Sequence, residues 1–510
     1  MTRSTELEQL TTAVARVADV DPARVAVRGT DGEVSYGELR DLLTEAASRP
    51  VVGECLLPVS GTASDVVALL TGAVAGRSVL VFDERTTAWE RERAAALTPG
   101  DDDPDRPQWL ALCTSGTSGL PKVVPLRWRT DVLPNALAFA EAAGYRDDDV
   151  VWCGTPLHHR YCLAAGVLGG LLSGSTLLLV PGMLGPAEFA RRLRDERVTI
   201  LLSVPYLYGF YAQELARDPD TVRGLALRRC VAAGEPLPEQ VATAWRAATG
   251  LTLLSHLGST EDGQLTLGRG EPDEGVGLPL ADAEIRVDAD GVIAVRRRTR
   301  PVDDGDLFRV PGRGPDGWRR TGDVGYLDER GNVHITGRST DRLNVAGKKV
   351  DPVEVEQALR MCPGVSDCVV VGVPGPTGDE LVGFVVAGTP SDADLRRHLG
   401  ELLSPHKVPR RFIRLDRVPR TRTGKPQRGV LVAGLLAPAS ASSGLRSAAT
   451  REDGACEARV PASAEAGAKV DAPASAWSGL RSAATREDGA CEARVPAPAE
   501  AGANDRSINR

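Results

Sequence analysis

Short apolar runs and amphipathic segments alternate through residues 1–336. Val79–Phe82, Trp109–Leu112, Leu177–Val180, Ile200–Val204, Leu225–Ala232 and Leu251–His256 read as strands. Helix-like segments fall between several of them. Pro186–Arg197 carries Phe189 and Leu193 beneath an arginine-rich outer face, and Pro238–Thr249 begins with proline and stops at Gly250. Strand–helix alternation with short connections argues for α/β layers with largely buried sheets.

After Gly337 the texture changes. Pro352–Met361 and Ser391–Leu403 read as helices, Cys368–Val373 and Leu381–Ala387 as paired strands, and Arg411–Leu415 as a further strand. About a hundred residues of this kind make a small α+β domain. The tail differs again. Residues 437–468 and 472–503 are a direct repeat with period 35, differing only at Ser442/Trp477 and Ser463/Pro498. Each copy offers Leu445/Leu480 and Val460/Val495 as its large aliphatics, too little apolar surface to offset the entropy of ordering. The expected architecture is α/β: a large multi-layer domain over 1–336, a smaller mobile α+β domain over 337–437, and a disordered duplicated tail over 438–510.

Composition narrows the class. Sixty-one Lys+Arg against 69 Asp+Glu leave a net charge of −8, so nucleic acid is not an expected partner. Nine scattered cysteines without a CxxC pair read as reduced thiols, and the first thirty residues hold charges and no apolar run, which together suggest the cytoplasm. Leu163–Val180 is long enough to tempt a membrane reading, but Gly169, Gly170, Ser173, Gly174 and Ser175 interrupt it. A buried helix, a Gly/Ser turn and a core strand fit better, with no membrane span. Only six of the basic residues are lysines: 122, 348, 349, 407, 425 and 469. In so arginine-rich a chain, a retained lysine is a candidate for a role arginine cannot fill.

The sharpest local signal is Thr114-Ser115-Gly116-Thr117-Ser118-Gly119-Leu120-Pro121-Lys122, directly after the apolar run Trp109–Leu112. Glycines and hydroxyl residues leaving a strand can present N–H and O–H donors to phosphate oxygens, and Lys122 adds a point charge. The glycine spacing and Val123 exclude a P-loop, and there is no Rossmann fingerprint.

This loop resembles the phosphate-binding signature of the adenylate-forming superfamily of acyl-CoA synthetases, peptide-synthetase adenylation domains and luciferases. Further motifs of that family follow in order. Val34-Ser35-Tyr36-Gly37-Glu38-Leu39 is similar to its N-terminal box, and Ala233-Gly234-Glu235-Pro236-Leu237 to its adenine-contacting turn. Gly258-Ser259-Thr260-Glu261, Arg320-Thr321-Gly322-Asp323, the hinge stretch from Gly337-Arg338-Ser339-Thr340-Asp341 and Pro419–Lys425 resemble the remaining elements. The ordered set spans residues 34–425.

The resemblance implies activation of a carboxylic acid with ATP and Mg²⁺, then transfer of the acyl group to a pantetheine thiol. Two anions must approach each other, so such catalysis is mostly positioning and cation placement. By resemblance, Thr114, Ser115, Gly116, Thr117, Ser118, Gly119 and Lys122 hold the β- and γ-phosphates. Thr260 contacts the α-phosphate, Glu261 helps hold Mg²⁺, and Asp323 accepts the ribose hydroxyls with Arg338 nearby. Gly234, Glu235, Pro236, Leu257 and Gly258 surround adenine, and Lys425 bridges carboxylate and α-phosphate in the transition state. Leu257 departs from the usual aromatic residue, keeping apolar contact without ring stacking. The pivot is expected at Thr340.

Thr155-Pro156-Leu157-His158-His159 resembles the acyl-pocket stretch of CoA ligases, where His159 would gate the substrate. The aspartate that binds an α-ammonium group is absent: His159, Arg160 and Tyr161 stand there, favouring a plain carboxylic acid. The acceptor is expected to be CoA, with a separate carrier protein as the alternative, and a catalytically weak binding protein of the same fold as the rival. Removing everything after Ala437 is expected to leave both half-reactions and the melting temperature essentially unchanged. A melting-temperature drop of more than a few degrees in the truncated protein would overturn that expectation.

Overall fold

A computed structural model describes residues 6–51, 53–98, 108–115, 121–180, 182–217, 222, 224–301, 308, 312–338, 343–345, 348–375, 378–388, 390–421 and 426–436. The duplicated tail, Gly116–Gly119, Thr340 and Lys425 lie outside the described residues.

The central sheet has the strand order Leu253–His256, Arg229–Ala233, Ile200–Ser203, Val150–Cys153, Thr176–Leu178, Val25–Gly29, Gly32–Ser35. All neighbours run parallel except the last pair, a hairpin. Successive side chains in a strand point to opposite faces, and the apolar runs serve two cores accordingly. Val151, Ile200, Leu202, Val231 and Leu254 join one cluster, with the helices Leu133–Ala143 and Gly169–Ser173. Trp152, Leu201, Cys230, Ala232 and Leu253 join the other, under the helices Pro186–Asp195, Pro205–Leu215 and Glu239–Thr249. This two-sided burial explains why the runs lack an alternating polar face.

The segment tested as a membrane span is a broken helix leading to a strand. Tyr161–Leu168 winds wide, Gly169 N–H donating to Ala164 O. Gly169–Ser173 continues it as an α-helix, and Gly174 ends that helix in the left-handed region before Thr176–Leu178. Among the described residues, no helix is long and apolar enough to cross a membrane. Two strands start later than the apolar runs suggest. Arg229 pairs with Ile200 and Leu253 with Cys230, so each ladder begins only where its neighbour does. Pro238 is the cap of its helix and Glu239 the first helical residue.

A second sheet orders Glu54–Val59, Ser78–Asp83 and Trp109–Ser115 in parallel, with Pro121–Arg127 antiparallel at its edge. A four-stranded antiparallel meander follows: Ala283–Val287, Val292–Arg297, Arg319–Leu327 and Val333–Arg338. The N-terminal motif is a structural device. Ser35 and Glu38 form a reciprocal capping box at the start of the helix Tyr36–Ser48, and the buried Tyr36 hydroxyl donates to Ser175 O at 2.8 Å.

In the small lobe, Val365–Gly375 pairs antiparallel with Gly378–Ala387, which runs parallel to Arg411–Arg414. Cys368 and Val370 face a core shared with the helices Pro352–Arg360 and Asp392–Leu402. Val369 and Val371 face Leu431 of the helix Arg428–Leu436. The whole is a mixed α/β molecule with a large N-terminal and a smaller α+β C-terminal lobe.

Candidate active site

In an open parallel sheet, ligands bind at the carboxyl ends of the strands, where connections leave in opposite directions. Here the chain leaves Val150–Cys153 for Thr176–Leu178 on one side, while Ile200–Ser203 flanks it on the other. The loop after Cys153, the turn after Ala233 and the hairpin after His256 all leave this carboxyl edge of the parallel sheet.

The loop after Cys153 carries His158 and His159, both half-buried, with ring centroids 4.4 Å apart. Burial pushes His158 below the usual histidine range, opposed in part by Asp83 at the end of the second sheet's Ser78–Asp83 strand. Arg160 and Tyr161 are engaged with backbone carbonyls. Arg160 donates from Nη1 to Thr260 O at 2.5 Å and from Nη2 to Asp131 O at 2.7 Å, and the Tyr161 hydroxyl donates to Val231 O at 3.1 Å. Burial lowers the Arg160 pKa to about 10, so the guanidinium stays charged at neutral pH.

The strands flanking the phosphate signature pair antiparallel, with Thr114 opposite Lys122 and Ser115 opposite Pro121 in the ladder.

Gly258–Ser259 pairs with Gly263–Gln264, leaving Thr260, Glu261 and Asp262 at the tip of a tight hairpin. The tip is fixed from three sides. Arg160 holds the Thr260 carbonyl, and Ser259 Oγ accepts the Asp262 N–H at 3.0 Å. Asp262 forms a buried ion pair with Arg319, whose Nε lies 2.9 Å from both carboxylate oxygens. Burial alone would raise Asp262, but Arg319, aided by Ser259 and Arg160, outweighs it and holds the carboxyl below the usual range. Gly263 has φ +78°, and a Cβ there would stand 2.0 Å from Asn135 Oδ1, so the turn requires glycine. Asn135 in turn brackets the backbone of Gln264, donating to its carbonyl at 2.9 Å and accepting from its N–H at 2.8 Å.

Arg319 opens the strand Arg319–Leu327, which carries Asp323. Asp323 faces Arg338 across the ladder, and Arg338 Nε donates to Asp323 Oδ1 at 2.8 Å. Thr321 Oγ1 accepts the Asp323 N–H at 3.0 Å and donates to Ile293 O at 3.0 Å. The Asp262–Arg319 pair therefore joins the hairpin carrying Thr260 and Glu261 to the strand carrying Asp323. Leu257, just before Gly258, packs against the meander core of Ile293, Val295 and Val333.

The turn after Ala233 has Gly234 at φ +92° and Pro236 exposed. The Glu235 side chain is engaged elsewhere: Oε1 accepts the Tyr206 N–H at 3.2 Å, and Oε2 lies 3.5 Å from Arg420 of the small lobe. Burial raises the Glu235 pKa, and Arg420 pulls it back down.

Arg160, Asp262, Arg319 and Asn135 were not legible as site residues in the sequence. Each acts through a partner distant in the chain, as Asp262 does with Arg319, 57 positions further on.

The donor set suits a nucleotide and a hard cation. Asp323 offers a carboxylate supported on its backbone and flank. Among the described residues no group of three or more His, Cys, Asp or Glu side chains could hold a metal. A single carboxylate at the hairpin tip, Glu261, is compatible with Mg²⁺, an ion that takes few carboxylates beside phosphates and water.

The model of the AMP-binding enzyme family matches residues 38–297, and that of the AMP-binding enzyme C-terminal domain matches residues 354–425. Benzoate–CoA ligase of Thauera aromatica is 31% identical over 441 residues, 80% of each chain. The 3-hydroxybenzoate–CoA/4-hydroxybenzoate–CoA ligase of the same organism is 30% identical over 340 residues, 62% of this chain and 64% of its own. ATP-bound MatB from Rhodopseudomonas palustris shares the fold, with TM-score 0.70 at 23% identity, covering 83% of this chain and 98% of the other. The ordered motifs, the two family matches and the relative aligned over four-fifths of the chain agree: the protein belongs to the AMP-binding enzyme family of the adenylate-forming superfamily and, at the level of that family, is an AMP-forming acid–thiol ligase.

Proposed function

We propose that this enzyme joins an aromatic carboxylic acid to coenzyme A. Acid and ATP give acyl-adenylate and pyrophosphate, and the CoA thiol then displaces AMP. The observation that carries this reading is that the His158–His159 loop, the Gly234–Pro236 turn and the Gly258–Glu261 hairpin all follow strands at the carboxyl edge of one parallel sheet, with the hairpin pinned to the Asp323 strand.

In this reading Asp323, held by Arg338 and Thr321, accepts the ribose hydroxyls. Gly234, Pro236, Leu257 and Gly258 border adenine. Thr260 meets the α-phosphate, its backbone fixed by Arg160, and the Thr114–Lys122 segment holds the outer phosphates. Magnesium, when bound by Glu261 and phosphate oxygens, would neutralise charge as the two anions approach. Lys425 stabilises the charge that develops between carboxylate and α-phosphate. Residues 337–437 act as the moving lobe, turning near Thr340 between the two steps.

An aromatic acid is favoured on two grounds. The aligned relatives act on benzoate and hydroxybenzoate, and the His158 ring, its pKa lowered by burial, lies against the His159 ring in the stretch that resembles the acyl pocket. CoA is preferred to a carrier protein because those relatives are CoA ligases. The test is acid-dependent exchange of labelled pyrophosphate into ATP over benzoates, short aliphatic acids and α-amino acids. Benzoate-type acids are expected to support exchange and α-amino acids to fail. Exchange with none of them would leave the binding-protein reading in its place.

A further inference from the structure

Among the described residues, polar contacts around Arg420 join the two lobes. Its guanidinium lies 3.5 Å from Glu235 Oε2 of the large lobe and 5.3 Å over the ring of Tyr206. Within its own lobe it pairs with both oxygens of Asp367, at 2.9 and 3.0 Å. Nearby, Gln240 Nε2 donates to Arg360 O at 2.5 Å across the same boundary. The Arg420 and Glu235 side chains are only 13% and 17% exposed, so this is not a solvent-screened surface pair. Arg420 also forms a β-bridge to Pro426, and Lys425 follows it by five positions in the sequence.

We infer that Glu235 and Arg420 are positioning residues, an ion pair between the lobes that holds the small lobe in the arrangement used for adenylation and parts when the lobe turns for thiol transfer. This rests on the two-step reading above and adds the contact that selects between its steps.

The asymmetry of the pair suits a contact that must break repeatedly. Asp367 belongs to the same lobe as Arg420 and stays with it, so the guanidinium keeps a bidentate partner when the lobes separate. Glu235 likewise keeps the Tyr206 N–H. Each half is thus already oriented before it meets the other, and neither is left a bare buried charge afterwards. The family motif would lead one to assign Glu235 to the adenine. Its carboxylate instead points to the small lobe.

The test compares Arg420→Gln, Glu235→Gln and the double variant in both half-reactions. Each single change is expected to lower kcat for pyrophosphate exchange about ten-fold, as loss of a partly desolvated charge contact does, with KM for ATP little moved. Thiol transfer from supplied acyl-adenylate should fall at least five-fold less than exchange does, and the double variant should match the singles. Equal loss in both half-reactions, additive losses, or a raised KM for ATP with kcat retained would overturn the inference. Hydrogen exchange provides a readout without catalysis: peptides over 204–210 and 234–241 should lose protection in both singles. Unchanged protection defeats the latch. Lost protection in a protein that exchanges no pyrophosphate with any acid defeats the two-step reading instead.

Discussion

Lys425→Ala is expected to lower pyrophosphate exchange at least ~100-fold, the cost typical of removing one donor aimed at transition-state charge. Thiol transfer from a supplied acyl-adenylate is expected to persist. The reason lies in the chemistry of the first step. A carboxylate attacking a phosphate builds negative charge between two groups that already repel, and a compact ammonium can sit between them. The second step has no such collision, because AMP departs from an activated carbonyl. The chain retains only six lysines among 61 basic residues, so drift has had every opportunity to place arginine here. Stopped-flow or label-exchange rates for the two half-reactions measure the split directly. Parental exchange by the alanine variant would falsify the assignment.

Asp262→Ala is expected to destabilise the protein by about 3–5 kcal/mol, the usual cost of removing one partner of a buried ion pair. Arg319 would be left charged and 8% exposed, with no route to water short of rearranging the hairpin. Urea unfolding measures the loss. Replacing both members with leucine should recover most of the stability, because the desolvation cost disappears with the charges. It should not recover activity, because the tie between Glu261 and Asp323 is gone. The sign with pH follows from the depressed carboxyl. Its contribution is full above the unfolded value of about 4 and is lost as pH falls through the lower folded value. The parent should therefore lose stability on acidification below about pH 4 more steeply than Asp262→Asn. Parallel acid-unfolding curves for the two proteins would show that Asp262 carries no such linkage.

The layered fold was legible because a strand buried on both faces must be apolar throughout, and Ile200–Ser203 and Arg229–Ala233 satisfy that rule with little interference. The start of each ladder was not, since pairing depends on where the neighbouring strand begins. The family motifs could be read from residue order alone, because backbone amides, hydroxyls and a carboxylate are needed at fixed chain spacings. What holds those motifs in place could not. Asp262 and Arg319 look like ordinary surface charges until the meander folds back on the hairpin. Arg160, which the sequence shows only as the neighbour of His159, reaches the Thr260 carbonyl 100 positions away. Position along a chain says little about which way a long side chain turns.

The pairing of Asp323 with Arg338 has a mechanical consequence. Arg338 is the last residue of the meander's final strand, so the anchored part of the molecule ends directly beside the carboxylate proposed for the ribose. In any rotation, displacement grows in proportion to distance from the axis. A lobe turning just beyond Arg338 therefore has its fulcrum beside the sugar and its long arm at the far end of the lobe. Groups out on the arm sweep widely while the ribose contact scarcely shifts. In the proposed two-step cycle, retention of the adenylate through the exchange of one cosubstrate for another would then be a matter of leverage rather than of tighter binding.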